Sequence, residues 1–361
     1  MNVQRVRLPG SDRVTWLVLG DDYLPIPPVR AFLTYLNNLE RSPHTVRAYA
    51  YHLKLFWDYL TDVHLDWTAV GLSELAAFVA WLRQPMPGVV SIHQQLAKRS
   101  ESTINTILAA VAMFYDFHQR DGTVPHIPLY QSQVQPHRRY KGFLHHVTKG
   151  KPIQYRLLKL KVARCRPKTL TPDQVAQFIA VCDRLRDQLL VSLLYETGMR
   201  IGQALGLRHE DVQSWDNAIR VVPRANPLNQ ARTKTHEPYT IHVPPSLMGR
   251  YTDYLIHEFE ATDSDYVFVN LWEGHIGAPI QYSTVAALFR RLSKKSGVSV
   301  TPHMLRHTHA TELIRHGWDA AHVQKRLGHA SIQTTLNIYT HLDDADMQAE
   351  YQTYLQQRAQ P

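Results

Sequence analysis

From Val29 to about Gln119, apolar side chains recur at helical spacing in four successive segments, and no other feature constrains the fold of this region as strongly. AFLTYLNNLE carries the first segment, and Ser42-Pro43 then punctuates the pattern. TVRAYAYHLKLFWDYL resumes the period with Tyr49, Leu53, Phe56 and Leu60 along one stripe. SELAAFVAWL and the segment from Ser102 to His118 supply two more helices. Four helices in about 100 residues make a small helical domain. Ahead of them VQRVRL and VTWLVLG alternate as strands do, and Pro25, Pro27 and Pro28 set them apart.

The pattern changes in the second half. Asp121-Gly122 and the prolines at 125, 128 and 136 end the helical region. Thr171-Pro172-Asp173 is a helix start, with a capping hydroxyl and proline at the first helical position. Two helical segments, three short strand-like runs (AIRVVPR, YTIHVPP and DYVFVN) and further helices follow. A chain of 361 residues, 44% of them hydrophobic, can bury two cores. The expected organisation is a strand-like extension (1–23), a helical domain (24–120), a linker (121–168), an α+β domain (169–345) and a helix-prone tail (346–361) with Met347, Tyr351 and Leu355 at i, i+4 steps.

Charge is distributed unevenly. The formal net charge is +9, yet the stretch from His137 to Lys168 holds eleven Lys and Arg residues and no acid. They are Arg138, Arg139, Lys141, Lys149, Lys151, Arg156, Lys159, Lys161, Arg164, Arg166 and Lys168. Such a stretch can be an ordinary solvated linker; the interleaved Tyr140, Phe143, His145, His146 and Tyr155 favour a polyanionic partner, and Arg138, Arg139, Lys141, Lys149, Lys151, Lys159 and Lys161 are taken as DNA-binding candidates. The longest apolar or aromatic run, Ile107 to Tyr115, is far short of the roughly 20 residues of a bilayer span, and the N-terminus lacks a secretory signal. The expectation is a soluble, cytoplasmic protein with no membrane partner. Cys165 and Cys182 form no CxxC pair, so neither a disulfide framework nor a zinc module is indicated.

Three stretches carry chemistry. Arg200 lies in LLYETGMRIGQALGLRHEDV with a glycine on either side, a setting that alone decides nothing. In TPHMLRHTHATEL, Thr301-Pro302 marks a helix start, so His303 falls in the first turn and Arg306 one turn on. An imidazole and a guanidinium added to a helix N-terminus make a phosphate site. His303 and His307 also have the i, i+4 spacing of metal ligands, but the glutamate of an HExxH site is missing and Arg306 would repel a cation. In VQKRLGHASIQTTLNIYTHL, Gly328 suits a helix end, His329 follows it, and Tyr339 lies on a further helix, a place where a tyrosine is usually a packing residue.

The order of these pieces changes that reading. Arg200, HxxR, LGH and a tyrosine ten residues beyond His329 together resemble the tyrosine recombinase (phage integrase) family. The likeness covers about Thr171 to Leu342, and extends more weakly over residues 24 to 120, where ERSPHTVRAY and four helices resemble a core-binding domain. It implies a two-domain, mainly α fold: a helical core-binding domain plus an α+β catalytic domain with a small antiparallel sheet. Gln203 departs from the family's more usual glutamate, and Asp211 fits its structural acid.

The resemblance implies a site-specific recombinase, integrase or transposase, encoded by a mobile element. Tyr339 is the implied nucleophile, forming a 3′-phosphotyrosine. Arg200 and Arg306 would stabilise phosphate charge, His303 would manage the tyrosine proton, and His329 would hydrogen-bond a phosphate oxygen. The family presents a lysine from its hairpin, and Lys234 is the one lysine between Asn217 and Pro245. The implied partners are double-stranded DNA gripped between the two domains, a homotetramer on paired sites and accessory or element-encoded proteins. Neither metal nor ATP is called for. Two alternatives share the fold: a type IB topoisomerase and a DNA-binding regulator without activity.

Overall fold

The computed structural model describes residues 1–7, 14–84, 99–125, 127–128, 130–133, 153–156, 158–162, 168–224, 226–233, 237–259 and 262–328. They fall into two units, Met1–Arg164 and Cys165–Pro361.

In the first unit β1 (Asn2–Arg7) and β2 (Val14–Leu19) pair antiparallel, with Asn2 opposite Leu19. Helices α1 (Pro27–Asn38), α2 (Pro43–Asp62), α3 (Leu72–Arg83) and α4 (Glu101–Arg120) follow. The first two open on proline, which costs nothing where the N–H has no intrahelical partner. At the start of α4 the Ser100 hydroxyl accepts from the Thr103 N–H. The buried stripes meet in an aromatic core in which Phe56 contacts Phe78 edge-on at 5.1 Å and Trp57 meets Phe114 at 5.3 Å. Such pairs contribute about 0.5–1.5 kcal/mol each beyond area burial. Trp16 and Val18 of β2 enter the same core, so the N-terminal hairpin packs with the helices.

Part of the acid-free basic stretch pairs with residues just ahead of it. Here β3 (Tyr130–Gln133) pairs antiparallel with β4 (Ile153–Arg156). Beyond β4 the chain lies along the helical core, with Leu158 and Leu160 packed against it and Lys159 and Lys161 exposed. The buried Asn105 side chain of α4 holds it there, donating to the Leu160 carbonyl at 2.9 Å and accepting from the Leu160 N–H at 2.8 Å.

The second unit opens with α5 (Pro172–Ala180), where Thr171 and Gln174 form a reciprocal capping box. Helix α6 (Leu185–Thr197) ends at Gly198 in the left-handed conformation, and the short α7 (Ile201–Leu205) starts three residues later. Strands β5 (Val212–Gln213), β6 (Ala218–Val221) and β7 (Tyr239–His242) form an antiparallel sheet in that order, with Val221 opposite Tyr239. Helices α8 (Pro245–Tyr254), α9 (Tyr282–Ser296), α10 (Pro302–Arg315) and α11 (Ala320–Leu327) complete the described part. Asp211 is structural: buried, it accepts from the Arg208 N–H at 3.0 Å and from Arg224 at 2.5 Å.

DYVFVN departs from the strand expected of it. Tyr266 and Val269 make only isolated bridges, to Arg208 and Pro279. Tyr266 to Val269 are all buried, so the run has no solvent face, and its backbone groups pair with unrelated segments: Val267 N–H with Leu207, and the Phe268 carbonyl with Ile280. The fold is therefore mainly α, with small antiparallel sheets. Among the described residues no helix is long and apolar enough to cross a membrane.

Candidate active site

Three local devices bring the site together. Gly198, with φ of +61°, reverses the chain at the end of α6 and frees its carbonyl. Arg200 then becomes the N-cap of α7, and the Gln203 side chain accepts from its N–H at 2.8 Å. Gly328, also at φ +61°, ends α11. On α10 the Thr301 hydroxyl accepts from the Met304 N–H, fixing the turn that carries His303 and Arg306.

Arg306 is buried and forks between two helix ends, donating to the Gly198 carbonyl at 2.6 Å and to the Leu327 carbonyl at 2.9 Å. Arg200 donates to the next carbonyl, that of Gly328, at 3.2 Å. The two guanidiniums are thus anchored on consecutive peptides. Among the described residues neither has a carboxylate in ion-pair reach. Burial, and then the charge of Arg200, pull the Arg306 pKa down to about 9. Burial also lowers that of Arg200. Two like charges held close together, one buried and the other half-buried, are costly without a counterion, so this geometry is suited to receive an anion.

His303 lies at the mouth of the site, with its Nε2 2.9 Å from that of His307. Partial enclosure, then Arg306 and Arg200, lower its pKa and favour the neutral imidazole, which can accept a proton. Among the described residues no group of three or more His, Cys, Asp or Glu is arranged to hold a metal.

Of the catalytic candidates, the structure brings together Arg200, His303 and Arg306. Lys234, in the connection between β6 and β7, lies outside the described residues, as do His329 and Tyr339. The same holds for Arg138, Arg139, Lys141, Lys149 and Lys151, and for the tail bearing Met347, Tyr351 and Leu355. Residue 328, the last one described, carries the carbonyl on which Arg200 is anchored, so His329 follows the site directly in the chain.

Comparison with known proteins bears on these residues. The family model described as the phage integrase family matches residues 168–346, and that of the phage integrase N-terminal SAM-like domain matches residues 29–122. Transposase A from transposon Tn554 of Staphylococcus aureus is 45% identical to the chain over 360 residues, 99% of each protein. The chain belongs to the phage integrase family of tyrosine recombinases. The tyrosine recombinase XerD of Listeria monocytogenes is 26% identical, over 87% of this chain and 93% of that one. Among solved structures, the Tn1549 transposon integrase in complex with a circular intermediate DNA covers 90% of this chain with 99% of its own length, at a TM-score of 0.64 and 18% identity. A lambda integrase dimer bound to a core site has a TM-score of 0.59 at 15% identity, covering 88% of this chain and 95% of that one. Both share the fold.

The Arg200–Arg306 site of the recombinase also has neighbours that lie outside the motifs. The Tyr239 hydroxyl accepts from the Gln203 amide at 3.0 Å. Burial raises the Tyr239 pKa, against the Gln203 hydrogen bond and the charges of Arg306 and Arg200. Beneath Arg306, the Arg326 Nε donates to His309 Nε2 at 3.1 Å, and other Arg326 nitrogens hold the Glu196 and His242 carbonyls. A lone tyrosine at a strand start and an arginine in a helix's last turn carry no signal in the sequence. Gly202 did stand out there, and its role is close approach: a Cβ would lie 2.6 Å from the Arg232 carbonyl oxygen, so glycine lets the segment leading to Lys234 rest on α7.

Proposed function

We propose that this recombinase cuts and rejoins DNA at specific sites as the transposase of a mobile element, through a 3′-phosphotyrosine on Tyr339. One observation carries the reading: Arg200 and Arg306 converge without a carboxylate partner among the described residues, each already oriented on a carbonyl. Guanidiniums so preorganised suit the non-bridging oxygens of a phosphodiester, whose charge grows in the in-line transition state. Tyrosine, with a free pKa of about 10, attacks only when its proton is taken and the phosphate is neutralised. His303, biased to the neutral form, is assigned the proton and His329 a phosphate oxygen. Lys234 is assigned protonation of the departing 5′ oxygen. The partner strand's 5′ hydroxyl then attacks the phosphotyrosine, so one ester replaces another and bond energy is conserved.

Double-stranded DNA is the partner, and exchange between two duplexes requires four such sites, hence a homotetramer on paired DNA; element-encoded or accessory proteins would choose the direction. The relationship to a transposon's transposase favours transposition as the biological setting. The test is Tyr339→Phe on a duplex spanning the joined ends of the element that carries this gene. The wild type should yield a protein–DNA adduct that survives denaturation, and the Phe variant should bind the duplex but yield none. An adduct formed by the Phe variant would overturn the assignment.

A further inference from the structure

We propose that the Tyr239 hydroxyl is an additional hydrogen-bond donor to the DNA phosphate held by Arg200 and Arg306, aimed there by Gln203. The proposal rests on the reading of those two arginines as the phosphate site.

The argument is one of donors and acceptors. A side-chain amide has a carbonyl end that accepts and an NH2 end that donates. The Arg200 N–H occupies the carbonyl end of Gln203 at 2.8 Å, which fixes the rotation of the amide. Its NH2 end is therefore the group that meets Tyr239, at 3.0 Å. The Tyr239 oxygen must accept, and its own proton has to go elsewhere. Among the described residues no acceptor takes that proton. The nearby charged groups, Arg200 and Arg306, are themselves only donors, and both act electrostatically on the phenol. A non-bridging phosphate oxygen drawn in by the two guanidiniums is the acceptor that satisfies all three groups.

Position 203 decides which way the phenol turns. A carboxylate there would still accept from the Arg200 N–H, but its second oxygen would now take the Tyr239 proton. Glutamine keeps that proton available; glutamate would withdraw it. Gln203 is a positioning residue in this scheme, acting through Tyr239.

The experiment measures binding and single-turnover adduct formation separately, on the duplex spanning the element's joined ends, for Tyr239→Phe, Gln203→Glu and the double variant. Loss of one preorganised donor to developing charge lowers rates by about 100-fold or more. Tyr239→Phe should cleave on the order of 100-fold more slowly while binding the duplex within about twofold of wild type. Gln203→Glu should show a comparable loss, and the double variant should be no slower than Tyr239→Phe alone, because both changes remove one hydrogen bond. Tyr239→Phe cleaving like wild type, or losing binding as much as cleavage, would overturn the proposal. Arg200→Ala separates the two readings. If it cleaves normally, the phosphate site itself is wrong; if it fails while Tyr239→Phe does not, only the tyrosine is misassigned.

Discussion

The Asn105 side chain bonds both backbone groups of Leu160, 55 residues away, at 2.8 and 2.9 Å, and thereby takes the place of a neighbouring strand. One buried amide thus pins residues around Leu160 of the basic stretch to the helical core. Removing it in Asn105→Ala leaves two backbone groups without partners, at a cost of about 1–3 kcal/mol. The variant should unfold at lower urea concentration and be cut by trypsin after Lys159 and Lys161 sooner than wild type. Identical trypsin kinetics would show that Leu158 and Leu160 hold the strap without the amide.

Lys159 and Lys161 are exposed while the leucines between and before them pack inward. Changing both lysines to glutamine should leave the melting temperature unaltered and weaken DNA binding. For every phosphate that is no longer neutralised, the slope of log affinity against log salt should fall by about 0.9. An unchanged slope would assign this strap to the solvated surface.

Gly198 occupies a left-handed conformation at φ +61°, and a Cβ there would stand 2.6 Å from Leu327 Cδ2 and 2.7 Å from His309 Cδ2. Gly198→Ala should therefore destabilise the catalytic unit by more than the roughly 1 kcal/mol of backbone strain alone. Because the Gly198 carbonyl orients Arg306, cleavage should fall further than stability explains. Denaturant melts alongside adduct yields at saturating DNA separate the two effects; adduct yield tracking the folded fraction alone would argue against the orienting role.

His309 is held neutral. Burial, then Arg326 and Arg306, push its pKa down to about 3, against about 6.5 in an unfolded chain. The unfolded state therefore binds a proton that the folded state refuses between those two values. Stability from this residue is complete above pH 6.5 and declines as pH falls towards 3, by up to about 1.4 kcal/mol per pH unit. His309→Gln keeps an acceptor for Arg326 and removes the titration. Its unfolding free energy should fall less steeply than that of wild type between about pH 6.5 and about pH 4, and parallel slopes would contradict the assignment.

Legibility in the sequence follows the range of the interaction. Helix starts at Thr171 and Thr301 were readable because a cap bonds an N–H three residues away. The end at Gly328 was readable because the left-handed conformation selects glycine locally. Residues 265–270 misled because an apolar run shows that a segment is buried but not whether a strand lies beside it.

The sequence by itself determined the four helical stripes of the first unit, the helix caps of the second and the ordered set of Arg200, His303 and Arg306 that resembles the tyrosine recombinases. Tertiary structure alone decided that Arg306 and Arg200 are anchored on the neighbouring carbonyls of Leu327 and Gly328, that Gln203 meets Tyr239, and that Asn105 clamps Leu160. The reason is physical: caps and periodicity are settled within a turn or two of chain, whereas two side chains a hundred residues apart meet only where the packing of whole helices leaves them facing adjacent peptides.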